Sequence, residues 1–149
     1  MIGPMRHPLH CVACLFVIVL GVAGCRSTPP EEALRESVGE LQAALEARDA
    51  SAISGLLAED FVGPGGMDRT ATRRTATMSF QRYRKVGIAL GPLDIVMHER
   101  NATVRFTAAL TGGQRGWLPE SGSVYQVETG WRRDGDDWVL TSARWDRNL

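Results

Sequence analysis

Two residues, Asp60 and Tyr125, have side chains suited to proton transfer. An aspartate enclosed by apolar groups has a raised pKa and can act as a general base. A tyrosine hydroxyl can both donate and accept a hydrogen bond and so relay a proton. Asp60 also lies just before Gly63-Pro64-Gly65-Gly66, where an aspartate more often caps or orients a loop. The sequence is compatible with either a general base or a loop-orienting residue at Asp60. The first role requires a fold that buries the carboxylate.

The first 25 residues have the pattern of a secretory leader. Arg6 is the only formal charge before an apolar run over residues 11–22, and Val22-Ala23-Gly24-Cys25 follows. Small residues directly before a cysteine resemble a bacterial lipobox, which implies cleavage before Cys25 and lipidation of that cysteine. The alternatives are a leader with a chance cysteine or an uncleaved anchor helix. Either Met1 or Met5 could be the start.

This resemblance implies a cellular location and the boundaries of three segments. Residues 1–24 are expected to be a lipoprotein signal peptide, residues 25–28 the lipidated cysteine and a short tether, and residues 29–149 the folded domain. The protein is expected in the bacterial cell envelope, facing the periplasm and attached to the membrane through lipid on Cys25. Arg26 stands where an aspartate would favour the inner membrane, so the outer membrane is favoured.

The cysteines and histidines limit the chemistry further. Cys11, Cys14 and Cys25 are all of the cysteines, and each lies in the leader or at its end. His98 would be the only histidine left after processing, in a stretch predicted to turn. The processed chain would have no thiol for a disulfide, a nucleophile or zinc, and no second histidine for a metal pair. We therefore expect no metal site and no cofactor.

Size and charge describe an ordinary single domain. Removing residues 1 to 24 leaves 125 of the 149 residues, enough for one hydrophobic core. The whole chain has 17 basic and 17 acidic residues. Because a nucleic-acid-binding domain normally carries a basic excess, we expect no nucleic-acid partner.

Three helices are predicted in the first half of this domain. Thr28-Pro29-Pro30-Glu31 has the spacing of a capping box. One apolar stripe follows it, at Leu34, Val38, Leu41 and Leu45. Asp49 or Ser51 could cap a second helix, and Asp68 could cap a third that runs to Arg84.

The second half is predicted to be a strand meander. Residues 87–97 are broken by Gly91-Pro92, which predicts a bend, and residues 102–110 alternate apolar with polar side chains. Residues 123–133 and 137–147 flank Asp134-Gly135, the strongest hairpin signal in the chain. The loop before them carries Trp117-Leu118-Pro119, a possible pocket lid or partner contact. Helices followed by a meander define an α+β domain.

The order of elements resembles the nuclear transport factor 2-like superfamily. The resembling residues are 44–49 in the first helix, Leu56-Leu57-Ala58-Glu59-Asp60-Phe61, and the final hairpin from Gly135 to Leu140. The resemblance implies N-terminal helices packed on a curved antiparallel sheet that forms a cone, as in cystatin-like folds. It further implies a pocket inside the cone and a possible homodimer through the sheet.

Members of this superfamily include isomerases, polyketide cyclases, epoxide hydrolases, dehydratases and non-catalytic binding modules. The fold therefore does not determine the function. In the ketosteroid-isomerase branch a catalytic aspartate lies a few residues beyond the position matched by Asp60. That position falls in Gly63–Gly66, which contains no acid, and this departure argues against that chemistry.

Pocket residues are expected from the third helix and the last strands: Asp60, Phe80, Tyr83, Tyr125, Trp131 and Arg144. Tyr125 and Glu128 cannot both point inward without a bulge, because side chains alternate along a strand. A surface ion pair with Glu128 is the simplest role for Arg144.

We expect the domain to bind a small apolar ligand or an envelope protein without catalysis. Two alternatives are an isomerase, cyclase or hydrolase-type enzyme with Asp60 or Tyr125 as proton carrier, and a structural subunit of an envelope complex.

Overall fold

The computed structural model describes residues 28–113 and 123–148. The predicted signal peptide, the predicted lipidation site Cys25 and the Trp117-Leu118-Pro119 loop lie outside these residues. The helices are α1 (Pro30–Glu46), α2 (Ala50–Leu56) and α3 (Arg69–Arg82), with a short 3-10 turn at Pro64–Gly66. The strands are β1 (Leu57–Val62), β2 (Lys85–Leu90), β3 (Asp94–Met97), β4 (Asn101–Gly113), β5 (Ser123–Asp134) and β6 (Asp137–Asn148).

Helix α1 packs through the predicted apolar stripe, since Leu34 and Val38 are buried and Leu41 is half-buried. The predicted capping box is wrong. Pro29 is the N-cap residue and no side chain caps the helix. Thr28 lies one residue before the N-cap, so it is not at the position from which a side chain accepts the N–H groups of the first turn. Pro30, at the first helical position, favours the start of the helix by fixing φ.

The other two helices begin at the predicted aspartates. Asp49 Oδ1 accepts hydrogen bonds from the backbone N–H of Ser51 and Ala52, both at 2.9 Å. Asp68 Oδ1 accepts one from Ala71 at 2.7 Å. Both carboxylates satisfy backbone donors that have no partner inside the helix. Helix α3 ends at Arg82 rather than at Arg84, since Tyr83 is already extended.

The strands form one six-stranded sheet in the order β1-β6-β5-β4-β2, with β3 also paired to β4. The predicted α+β class is confirmed, but the sheet is mixed rather than wholly antiparallel, because β1 runs parallel to β6. Apolar alternation shows that a segment is extended without showing the direction of its partner. The predicted bend at Gly91-Pro92 divides β2 from β3, and both pair with β4.

One core lies between the helices and the sheet. It consists of Leu34, Val38, Leu57, Phe61, Ala102, Val104, Trp131, Trp138 and Leu140. The Nε1–H of Trp138 donates to the carbonyl of Pro30 at 3.0 Å, and the Nε1–H of Trp131 donates to Thr129 Oγ1 at 2.9 Å. These bonds allow two indoles to be buried without an unpaired donor. We call the sheet face that carries Val104 and Trp131 the inner face.

A bulge in β6 decides which side chains reach that inner face. Trp131 pairs with Leu140 whereas Gly130 pairs with Ser142, so Thr141 is an extra residue. Before the bulge, even-numbered residues such as Trp138 and Leu140 face inward. Beyond it the alternation is reversed, and Ala143, Trp145 and Arg147 pair with inner-face residues of β5.

Candidate functional site

Asp60 lies on the outer side of the sheet, where its side chain is 67% exposed. Its carboxylate accepts two hydrogen bonds from the guanidinium of Arg132, both at 2.9 Å. The hydrogen bonds from Arg132 hold the pKa of Asp60 below its ordinary value. The structure therefore shows neither the buried base with a raised pKa nor the loop-orienting aspartate that the sequence suggested. Asp60 ties β1 to β5 across the intervening strand.

Arg144 also faces outward, where it forms the ion pair predicted with Glu128. Arg105 on β4 donates to the other oxygen of the same carboxylate at 2.7 Å. The three side chains make a charge ladder across β4, β5 and β6. Tyr125 lies on the opposite face from Glu128, as strand alternation requires. Because Arg144 shares the outer face with Glu128, the structure does not support the pocket role predicted for Arg144.

Phe80 and Tyr83 lie at the end of α3, away from the sheet strands that carry Tyr125. Phe80 lines a cleft of about 300 Å³ with Ala47, Arg48, Ala50, Thr77 and Gln81. Arg48, in the left-handed region at φ 57°, donates from Nη1 to the carbonyls of Phe80 and Tyr83. Tyr83 is 42% exposed. These contacts hold the end of α3 to the α1–α2 junction.

Of the six predicted pocket residues, only Trp131 and Tyr125 share the inner face. Trp131 is buried in the core beneath the helices. Tyr125 lies six residues earlier on the same strand, where the face is half-buried. The six residues thus do not surround a common cavity, and only Tyr125 remains close to an accessible part of the inner face.

The accessible part is the end of the inner face that the core residues do not reach. Burial falls along β5 and β6, from buried Thr129 to half-buried Val127 and to Trp145, which is 48% exposed. On β4 the same face stays covered, since Phe106 packs against the core and Ala108, opposite Tyr125, is only 7% exposed. The next row brings Tyr125 opposite Arg147. We call Phe106, Tyr125, Val127, Trp145 and Arg147 the distal shelf. It offers an aromatic and aliphatic surface with a charged end.

Arg147 supplies the only charge of the distal shelf. Its Nη2 donates to Ser123 Oγ at 3.0 Å and to the Tyr125 hydroxyl at 3.4 Å. Its guanidinium carbon lies 5.8 Å from the centre of the Tyr125 ring. Among the residues that the structure describes, no carboxylate pairs with Arg147, whereas Arg105, Arg132 and Arg144 on the outer face each have one.

Four of the five shelf residues were not predicted from the sequence, although the sequence contains a signal for two of them. If Arg144 pairs with Glu128 on the outer face, then Trp145 and Arg147 must lie on the same face as Tyr125. For Phe106 and Val127 the alternation placed each on an apolar face without showing which end of that face the helices leave accessible.

A larger concavity lies between α1 and the β5–β6 hairpin, at the opposite end of the domain from the distal shelf. This groove of about 610 Å³ is bounded by α1, the end of α2 and the β5–β6 hairpin. Its charged lining residues are Glu36, Glu40, Asp136, Asp137 and Arg133. Arg133 donates a hydrogen bond to the carbonyl of Gly135 and forms an ion pair with Asp136. None of the predicted site residues lines it.

Within residues 28–113 and 123–148, no three His, Cys, Asp or Glu side chains are arranged to hold a metal ion. Over the same residues, no helix combines the length and the apolar character needed to cross a membrane.

Solved structures with a similar fold cover most of the described chain. A candidate dehydratase of the NTF2-like family from Streptomyces avermitilis has a TM-score of 0.71 and 17% identity, covering 80% of this chain and 97% of its own. An NTF2-like protein with a cystatin-like fold from Novosphingobium aromaticivorans has a TM-score of 0.65 and 19% identity, covering 78% and 80%.

Bd1075 of Bdellovibrio bacteriovorus has a TM-score of 0.68 and 16% identity over 78% of this chain, which spans only 40% of the Bd1075 chain. No protein-family model and no curated protein sequence matches the chain. At these identities the likeness concerns the fold alone. The described residues of this chain have the nuclear transport factor 2-like, or cystatin-like, fold.

Proposed function

We propose that the domain is a non-catalytic module that binds a small apolar ligand on the distal shelf. The observation that carries the proposal is the β5–β6 side of the inner face, where half-buried Val127 and Trp145, 48% exposed, continue the apolar surface of Phe106 and the core. Adjacent apolar side chains left accessible in this way mark binding surfaces more often than isolated ones do. A ligand there would bury surface that the fold itself leaves accessible.

Catalysis is less well supported than binding. Asp60 faces away from the shelf and, because its pKa is lowered by Arg132, it is a poor general base near neutral pH. Tyr125 does lie on the shelf, but its hydroxyl accepts a hydrogen bond from Arg147 and no carboxylate or imidazole is paired with it among the described residues. Dehydratase candidates share the fold, and a fold does not determine a reaction.

The proposal includes attachment to the cell envelope through lipid on Cys25. The first described helix begins at Pro30, a few residues from that cysteine, and Trp138 holds its start against the β5–β6 hairpin. At the other end of α1, Gln42 donates to the carbonyl of Ile88, whose partner Leu110 lies near the Tyr125 row. A helix of 17 residues is about 25 Å long. The lipid and the shelf would thus be at opposite ends of the domain, with the shelf facing the periplasm.

Native mass spectrometry of the full chain extracted from membranes tests the binding proposal. We expect a non-covalent small-molecule adduct that is lost in Trp145→Ala and retained in Val124→Ala, a matched control because Val124 is an exposed apolar residue on the outer face. Asp60→Asn and Tyr125→Phe should keep the adduct. A wild-type protein without any adduct, or equal retention in Trp145→Ala, would contradict the proposal, and a dimer mass alone would favour a structural role.

A further inference from the structure

We propose that the distal shelf takes an amphipathic acid, a single apolar chain that ends in one carboxylate. Arg147 binds the carboxylate, and the chain lies along Val127, Phe106 and Trp145 toward the helices. The inference rests on the proposed function, and it adds the chemical class of the ligand.

Arg147 carries the charge that would hold a carboxylate. A guanidinium stays protonated at all physiological pH values, so Arg147 places a permanent positive charge at the end of an apolar surface. Its contacts among the described residues are the hydroxyls of Ser123 and Tyr125, which are neutral. On the outer face, by contrast, Arg132 pairs with Asp60, and Arg105 and Arg144 share Glu128. An anion is thus the complement that the inner-face arginine lacks.

The length of the shelf and the change of chemistry along it fit such a ligand. Ala143 lies four residues before Arg147 on β6, a distance of roughly 13 Å at the rise of a strand. Along that distance the inner face changes from charged, at Arg147, through aromatic, at Trp145, to the partly buried Ala143 next to the core. A ligand with a polar head and an apolar tail has the same order of chemistry along its length.

The single guanidinium selects a carboxylate over a phosphate monoester. One carboxylate carries one negative charge, which one arginine balances through paired N–H···O bonds. A phosphate monoester carries about 1.5 to 2 negative charges at neutral pH, more than Arg147 alone compensates. The hydroxyls of Ser123 and Tyr125 can turn to donate further hydrogen bonds to the carboxylate.

Photo-crosslinking of the full chain in zwitterionic lipid nanodiscs tests this inference. Three diazirine probes with the same alkyl chain are compared: the carboxylic acid, the primary alcohol and the phosphate monoester. Labelled peptides are mapped by mass spectrometry. We expect the acid to label residues 123–134 and 137–148 about tenfold more than the alcohol, as a charge-assisted hydrogen bond to an arginine predicts.

A matched pair of arginine variants isolates the charge. Arg147→Gln should reduce labelling by the acid to the level of the alcohol and leave the alcohol unchanged. Arg144→Gln removes an equal charge from the outer face of the same strand and should change neither. Arg147→Lys, which keeps the charge and loses the paired geometry, should retain a smaller preference for the acid. Circular dichroism shows whether each variant is folded.

The outcomes separate this inference from the proposed function. If acid and alcohol label the wild-type shelf equally, or if Arg147→Gln and Arg144→Gln have the same effect, the inference is wrong while apolar binding stands. If the phosphate monoester labels most strongly, the carboxylate assignment is wrong. If no probe labels the shelf, the proposed function itself fails. The wild-type probe comparison decides these points even if Arg147→Gln does not fold.

Discussion

Asp60 and Arg132 are joined by two parallel hydrogen bonds of 2.9 Å, although 72 positions separate them in the chain. They connect edge strand β1 to β5 on the outer face, across β6. Because the hydrogen bonds from Arg132 favour the ionised carboxylate, the pKa of Asp60 is lower in the folded protein than its ordinary value of 3.8. The pair therefore links folding to pH.

The sign of this linkage follows from the lowered pKa. Asp60 stabilises the fold at pH values above its ordinary pKa of 3.8, and this contribution is lost as the pH falls through the folded pKa. We expect the melting temperature of Asp60→Asn to fall slightly less between pH 6 and pH 3 than that of the wild type and of a control variant, Asp94→Asn, which leaves the Asp60–Arg132 pair in place. Both side chains of the pair are largely exposed, so the effect should be small and weakened by salt. Thermal unfolding by circular dichroism measures it, and identical pH profiles for the two variants would exclude the linkage.

Trp138 should be a major determinant of stability. It is 2% exposed, belongs to the core and donates to the carbonyl of Pro30. Trp138→Phe removes that bond and leaves part of the indole volume empty, so we expect a loss of about 2–4 kcal/mol in the free energy of unfolding. Trp145→Phe, on the half-exposed distal shelf, should change it by less than about 0.5 kcal/mol. Urea denaturation compares the two, and equal losses would mean that Trp138 is not the anchor of α1.

Gly130 lies where β5 approaches the bulge of β6, close to two hydroxyl side chains. A Cβ at this position would lie 2.6 Å from Ser142 Oγ and 3.2 Å from Thr141 Oγ1. Gly130→Ala should therefore destabilise the fold by about 1–3 kcal/mol. Adding Ser142→Ala removes the closer clash and should restore part of the loss. Equal stability of the single and double variants would place the strain elsewhere.

Gly39 is the matched control for that glycine. A Cβ at Gly39, on the exposed side of α1, has nothing within 4 Å. Since alanine has the higher helix propensity, Gly39→Ala should stabilise the protein by about 0.5–1 kcal/mol. Its melting temperature should rise while that of Gly130→Ala falls, and a fall in both would show that α1 tolerates no side chain at this position.

Cys25 should carry the lipid anchor. Cells that express the full chain and are fed a clickable palmitate analogue should incorporate it into the wild-type protein and not into Cys25→Ser. Cys11→Ser together with Cys14→Ser is the control, because both of these cysteines lie in the predicted leader and should leave the label intact. Persistent labelling of Cys25→Ser would show that the lipobox interpretation is wrong.

Local features of this fold could be predicted from sequence because their causes are local. Asp49 and Asp68 begin helices by accepting hydrogen bonds from N–H groups two or three residues away. The Asp134-Gly135 hairpin needs only a glycine at positive φ, observed at 62°. The ion pair of Arg144 with Glu128 was also predictable, since it follows from strand alternation and an adjacent partner.

The site required the tertiary structure. Asp60 looked suited to proton transfer, yet its environment was decided by Arg132, 72 positions away. Thr141 is an unremarkable strand residue, and as an extra residue opposite β5 it reverses the alternation and turns Trp145 and Arg147 inward. Which row of the inner face stays uncovered depends on where α1 ends over the sheet. The sequence by itself determined the elements, the caps of α2 and α3 and the alternation along each strand, because these depend on interactions over a few residues. Strand direction, the partner of Asp60 and the exposed part of the inner face depend on contacts between distant segments, and they were decided only by the assembled sheet.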